Sequence, residues 1–348
     1  MGAGGPSRLL GCHPVKPVTV LGFGSAIVDT STSVSDAQLR QLGLTKGSMR
    51  LATRDEQERI IAAIPGEWQR QGGGSIANSL AGLALLGIDS ALYTAVGQDA
   101  DGALFAKDLA DVGVEVVLSD HEYQEGTGRC IVLVTDDGQR TMLTYLGASQ
   151  ELDVDLFPFK LTTGTPFLLI EGYLLDVPGL GERLFSIART VRRYGTKVVF
   201  SLSDAGLVER HLPALRRALP SSIDYLLANG EEASAFTQRS DLEQIVDALV
   251  AMRFGGAITL GSRGALYFGE GVYEYREAPA YAQPIDTTGA GDLFAAGFIA
   301  GLAHELAPVD ALRLGQSLAA EVIAHSGARP ECDLGDWLAD HEPDLANS

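Results

Sequence analysis

The segment Asp286 to Gly301, DTTGAGDLFAAGFIAG, carries the most chemically suggestive spacing in the chain. Gly289, Ala290 and Gly291 stand just before an apolar run of helical length. That pattern predicts consecutive backbone amides at a helix N-terminus, which is a cradle for an anion. Asp292 follows directly. A fixed carboxylate there would repel a resting pyrophosphate, so its position makes most sense if it takes a proton from a hydroxyl attacking phosphorus while the amides hold the developing charge. The plainer alternative is a first-turn acid interacting with the helix macrodipole, beside glycines that merely turn the chain.

Other chemistries lack their residues. All five lysines (16, 46, 107, 160 and 197) follow a residue other than glycine, so there is no Walker A loop. The nearest approach to a nucleophile elbow is Gly73-Gly74-Ser75-Ile76-Ala77, and His304-Glu305 lacks the second histidine of a zincin. Gly22-Phe23-Gly24 and Gly289-Ala290-Gly291 each miss the third glycine of a dinucleotide fingerprint. An NAD-linked oxidoreductase built on Gly22-Phe23-Gly24 would need a regular apolar helix next, where Asp29 and a polar stretch stand instead.

The elements that must position these residues can be read from apolar periodicity. Val18 to Gly24 reads as a buried strand, followed by a polar, β-branched stretch from Asp29 to Ser33. Gly72 to Gly87 reads as a glycine turn opening a buried helix capped by Gly87. Strand-like runs at 114–118 and 128–145 surround the turn signal Asp136-Asp137-Gly138, which predicts a hairpin. After Pro166, wholly apolar strands alternate with helices, the mark of a parallel sheet covered on both faces. The expected fold class is α/β: a mostly parallel central sheet with helices on both faces and a small antiparallel β lid. The lid is expected from about 29–52 and 115–147 within one domain of 17–340, with 1–16 and 341–348 as tails.

Composition narrows the partners. With 45 acidic and 26 basic residues among 348, the formal net charge is -19, which disfavours nucleic acid and anionic membranes. Phosphate must therefore be bound by a built local site. Three widely spaced cysteines, Cys12, Cys130 and Cys332, argue against a disulfide framework and fit a reducing cytoplasm. No apolar run approaches the ~18 residues of a membrane span.

DTTGAGD followed by an apolar, glycine-containing helix resembles the C-terminal signature of the ribokinase-like (PfkB) family of carbohydrate and nucleoside kinases. Gly73-Gly74 with Asn78 resembles its N-terminal signature. Val96-Gly97-Gln98-Asp99 before Gly102, Asn229 with Glu232, and Thr259-Leu260-Gly261 before Gly264 follow in the family's order, from about Val18 to Pro330. The resemblance implies an ATP-dependent kinase with Asp292 as base and Gly289, Ala290 and Gly291 as anion hole. It implies that Asp29, Ser25, Gly73, Gly74 and Asn78 bind the substrate and that Asn229, Glu232, Thr259, Gly261 and Gly264 border ATP. Mg²⁺ would be held through water by Glu232, and K⁺ by Asp286 and Ser326.

Within the family, GTGRCIVLVTDDGQRTMLTYLGAS and EGYLLD resemble adenosine kinases and their bacterial relatives. That likeness implies a nucleoside acceptor, adenosine first, then inosine or guanosine, with a free sugar as the alternative. It also places Tyr173 where an aromatic stacks on the base. Ser25 departs from the asparagine usual there. The lid strands allow either a monomer or a homodimer.

Overall fold

The structure is a computed structural model that describes residues 17–118, 123–281 and 283–346. The expected N-terminal tail, with Cys12, lies outside the described residues. The chain enters through β1 (Val20–Phe23) and leaves it for β2 (Ile27–Ser33), α1 (Asp36–Gln41), β3 (Met49–Leu51), α2 (Arg54–Ala63) and β4 (Gln69–Gly73). It returns through α3 (Ser75–Leu85) to β5 (Ser90–Thr94), α4 (Ala100–Asp111) and β6 (Val114–Leu118) before the hairpin of β7 (Gly128–Val134) and β8 (Arg140–Tyr145). Then come β9 (Phe167–Glu171), α5 (Leu180–Arg193), β10 (Lys197–Ser201), α6 (Ala205–Ser222), β11 (Tyr225–Asn229), α7 (Gly230–Thr237), α8 (Leu242–Val250) and β12 (Gly255–Thr259). The hairpin of β13 (Ala265–Gly269) and β14 (Val272–Arg276) precedes α9 (Ala290–Ala303), α10 (Pro308–Val322), α11 (Leu334–His341) and α12 (Pro343–Ala346).

Among the described residues one sheet has nine strands in the order β14-β13-β12-β11-β10-β9-β1-β5-β6, parallel from β12 to β6. The expected α/β sheet covered on both faces is therefore present. One face packs on α5 to α8 through residues such as Leu21, Phe23, Leu184, Leu215, Phe236 and Leu249. The opposite face packs on α3, α4, α9 and α10. β1 shows why its sequence is VLGF: all four residues are buried, and a Cβ on Gly22 would stand 2.5 Å from Ile76 Cγ2. Gly22 is thus glycine so that α3 can lie on the sheet, which accounts for Gly22-Phe23-Gly24 without any dinucleotide. The parallel order reverses direction at β1 and β9, and such a switch point opens a crevice at the strands' C-terminal ends.

The second sheet has the order β3-β8-β7-β2-β4. It differs from the expected lid in three respects. It includes β4, whose polar sequence QRQGG gives no strand signal; pairing with β2 makes it a strand. It excludes 114–118, because apolar Val114 and Val117 of β6 pair with β5 in the large sheet. It is also mixed, since β2 runs parallel to β7 and β3 parallel to β8. One lid face is closed by α1 and α2 over Leu39, Ile60, Ile131, Leu133 and Leu143. At the C-terminus the expected tail is instead docked: Glu342 is buried, accepting from Tyr281 at 3.1 Å and pairing with Arg313, and α12 follows it. Among the described residues no helix is long and apolar enough to cross a membrane.

Candidate active site

Gly289 adopts φ +78, and a Cβ there would lie 2.6 Å from the Ala328 carbonyl, so only glycine lets the loop after α10 close against the start of α9. Gly289 is the N-cap of α9 with no side chain to satisfy the first amides, which leaves the N-terminus of a buried helix open at Ala290 and exposed Gly291. Asp292, in that first turn, is held by α3. Ser75 Oγ donates to its Oδ1 at 2.6 Å, Asn78 Nδ2 to its Oδ2 at 3.0 Å, and Ser79 Oγ to its carbonyl at 2.9 Å. Helical spacing puts those three side chains on one face. Burial raises the Asp292 carboxyl above its ordinary value, as suits a group that must accept a proton.

The acceptor side is built by β2 and the β4–α3 turn. Asp29 lies beside Gly73, where a Cβ would come within 2.4 Å of its Oδ2, so Gly73 lets the carboxylate reach the crevice. Gly74 turns with φ +92 under the Ser25 carbonyl, launching α3. Burial pushes the Asp29 carboxyl up to about 6, against the pull of Arg329 and Arg140 and with Asp292 adding repulsion. Asp29, Gly73, Gly74, Asn78, Asp292 and the cradle therefore converge on one crevice.

Two expected contact residues also make structural hydrogen bonds. Ser25 is buried, and its amide donates to Glu171 Oε1 at 2.8 Å, which ties the turn after β1 to the end of β9. Glu171, at the end of β9, also accepts from the Ile76 amide at 3.4 Å, and burial pushes it up to about 7. Tyr173 is half-buried against the core, with its hydroxyl committed to the Ser203 carbonyl at 3.0 Å. Its hydroxyl pKa is raised by burial, and Asp204, Glu232, Asp292 and Glu171 face it. Ser203 itself holds φ +68, an uncommon conformation for a non-glycine residue at a strand end lining a site.

The expected nucleotide side also lies at strand ends. Asn229 and Thr259 are register partners closing β11 and β12. Asn229 caps α7 reciprocally with Glu232: its amide and Nδ2 donate to the Glu232 oxygens at 2.9 and 2.7 Å, and its Oδ1 accepts from the Glu232 amide at 2.9 Å. Burial and the nearby Asp204 and Glu231 push Glu232 up to about 7. Both Glu232 oxygens are engaged by Asn229, and among the described residues no group of three or more His, Cys, Asp or Glu side chains is placed to hold a metal ion, so a divalent cation here would have to be met through its water shell. Gly261 has φ +61, and Gly264 has φ +114 with the Arg276 carbonyl 2.0 Å from where its Cβ would stand, so both are needed for the turn after β12. Asp99 is structural: it caps α4 at Gly102 and ties Thr127, just before β7, by its amide and hydroxyl at 2.9 and 2.7 Å.

A monovalent cation on Asp286 does not fit. Asp286 Oδ2 accepts from Arg140 of β8 and from the Gly327 amide at 2.8 Å, and Oδ1 accepts from the Thr288 amide at 3.0 Å. The lid's guanidinium already supplies the positive charge, and a second cation there would be repelled. Ser326 presents its carbonyl to His325 Nδ1 at 3.3 Å.

A cradle at a helix N-terminus with a carboxylate beside it, at the switch point of a doubly covered parallel sheet, defines a phosphotransferase acting on a hydroxyl. The pfkB family carbohydrate kinase model matches residues 45–333, and the chain belongs to that family of sugar and nucleoside kinases. A probable sugar kinase from Rhizobium etli is 30% identical with a TM-score of 0.88, covering 95% of this chain and 100% of that one. Adenosine kinase from Sinorhizobium meliloti is 31% identical with a TM-score of 0.85, covering 92% and 98%. Among curated proteins, ribokinase from Arabidopsis thaliana is 28% identical, covering 75% of this chain and 69% of its own length.

Proposed function

We propose that this chain transfers the γ-phosphoryl group of ATP to the primary, 5′-type hydroxyl of a nucleoside, adenosine first. The observation that carries the nucleoside reading is the lid face beside Asp29. Side chains alternate along a strand, so Ile27 and Asp29 share a face, and register puts Cys130 opposite Asp29 and Val132 opposite Met142. Ile27, Cys130 and Val132 are buried there, with Val134, Met142 and Leu146 partly buried against them. A purine has an apolar surface to lay on that wall, whereas a free sugar needs mainly polar contacts. The lid thus supplies an apolar wall of its own.

In this reading Asp29 receives sugar hydroxyls and Asp292 accepts the proton of the attacking hydroxyl. As that oxygen bonds to the γ-phosphorus, the bond to the bridging oxygen of the departing ADP breaks. The amides at Gly289 to Gly291 hold the charge that develops, and Ser75 and Asn78 keep the carboxylate aimed. Mg²⁺, held through water near Glu232, would neutralise phosphate charge. The lid excludes water that would otherwise take the phosphoryl group. Such an enzyme serves purine salvage in the cytoplasm.

The test is ADP release with Mg-ATP and adenosine, inosine, guanosine, ribose and fructose in turn. Adenosine should show the highest kcat/KM, and Met142→Glu should lower it at least tenfold by putting a charge on the wall. A free sugar preferred over every nucleoside would give the assignment to a sugar kinase.

A further inference from the structure

Glu171 closes β9 and belongs neither to the anion cradle nor to the acceptor contacts described above. Phe167 and Leu169 of β9 pack on the sheet face covered by α3 and α9, and alternation along the strand puts Glu171 at the end of that same row. Its side chain is 1% exposed. On the neighbouring strand's exit, a Cβ on Gly24 would stand 2.7 Å from Ile76 Cβ and 3.3 Å from Glu171 Oε2, so glycine there lets the start of α3 and the carboxyl meet. The helix lacks a cap of its own. Gly74 is its N-cap and offers no side chain, and the amide of Ile76, the second helical residue, donates instead to Glu171 Oε2 at 3.4 Å, where a capping side chain would ordinarily accept. The other carboxyl oxygen takes the Ser25 amide at 2.8 Å.

The helix end held in this way is the one that reaches Asp292, through the hydrogen bonds of Ser75, Asn78 and Ser79. We propose that Glu171 is a positioning residue for phosphoryl transfer: its carboxyl caps α3 from across the sheet and fixes the start of that helix, so that Ser75 and Asn78 hold the Asp292 carboxylate on the attacking hydroxyl. An apolar side chain would fill the row of Phe167 and Leu169 equally well, but it would leave the amides of buried Ser25 and Ile76 without this acceptor. The start of α3 could then shift, and the aim of Asp292 would shift with it. Burial pushes Glu171 up to about 7, and its two oxygens can accept from the two amides whether or not the carboxyl carries a proton.

The inference rests on Asp292 as the base, and not on adenosine itself. Its test uses the full-length enzyme with Mg-ATP and whichever acceptor the wild type phosphorylates fastest. Glu171→Ala should lower kcat about 10²-fold, the cost of a base misplaced by about 1 Å. KM for ATP and for the acceptor should stay within about threefold, because the lost interaction serves the chemical step and not binding. Glu171→Gln keeps the volume and one acceptor, and should hold the loss to about tenfold. Thermal melts show which variants are folded at the assay temperature, and Glu171→Gln alone carries the comparison if Glu171→Ala is not. The decisive reading pairs each variant with Asp292→Asn: in an enzyme without its base, the Glu171 substitution should cost less than about threefold, since nothing is left to aim. An undiminished loss in that background would make Glu171 a mere support of the fold and overturn the proposal, as would a folded variant with wild-type kcat. Asp292→Asn alone keeping more than about a tenth of wild-type turnover would instead overturn the base reading, and this inference with it.

Discussion

Gly291→Ala separates a glycine kept for chemistry from one kept for folding. A Cβ built at Gly291 meets no atom within 4 Å, so the substitution has no steric cost in the folded protein. Gly291 is the second residue of α9, and replacing glycine by alanine in a helix favours folding by roughly 0.5–1 kcal/mol. For a chain of this size that is a rise in Tm of about 1–3 °C. Activity should move the other way. The new methyl projects into the open N-terminal cradle, where the transferred phosphoryl oxygens are expected, and would displace them from the amides. Losing one such donor costs about 10²–10³ in kcat. Thermal melts and steady-state ADP release on the same preparation give both readings. An enzyme that is more stable yet keeps kcat within threefold would refute the cradle at Gly291 as the anion site.

Asp292→Asn should lower kcat by about 10²–10⁴ while nucleotide affinity, read by calorimetry, changes little; more than a tenth of wild-type turnover would remove Asp292 from proton transfer. Gly73→Ala puts a Cβ 2.4 Å from Asp29 Oδ2 and must shift that carboxylate by about 1 Å, enough to cost roughly 10² in kcat/KM; an unchanged value would free Asp29 of any substrate role. Burial holds Glu171 at about 7, above its unfolded value, so the folded state binds more protons than the unfolded chain between about pH 4 and 7. The stability this provides is fully present below about pH 4 and lost as pH rises through 7, worth roughly 3 kcal/mol at 1.36 kcal/mol per unit. Glu171→Gln should flatten the pH 5 to 8 change in urea-melt stability by about that amount, and an unchanged slope would count against the buried carboxyl.

How much was legible followed the range of the interactions. Strands β9 to β12 are wholly apolar or nearly so, and α3 and α9 begin at glycines, so local pattern announces them. β3 and β4 are short and mostly exposed, formed by pairing with β8 and β2, and nothing in MRL or QRQGG says so. In the site, Asp292 adjoins Gly289 to Gly291 in the chain, so local pattern singles that segment out, whereas Asp29 lies far along the chain from Gly73 and Gly74 and is expected only from the family resemblance. The partners of Ser25 and Tyr173 were not readable because they lie elsewhere in the chain: Glu171 is 146 residues from Ser25, and Ser203 is 30 from Tyr173. Glu171 did leave a trace, a carboxylate ending the apolar run FLLI.

The pairing of β2 with β7 also governs how the chain can fold. Ile27 lies beside Gly128 in a parallel register, and α3, β5, α4 and β6 of the main body intervene in the chain. A contact of such sequence separation forms only after a large loop has closed, which delays it kinetically. The hairpin of β7 and β8 can form early by itself, but it has no β2 to meet until the large sheet has brought both ends together. The cradle comes later still by the same measure: Asp292 of α9 meets Ser75 of α3 across 217 residues, so a nascent chain can pair β2 with β7, and set Asp29 in its strand, before α9 has been made.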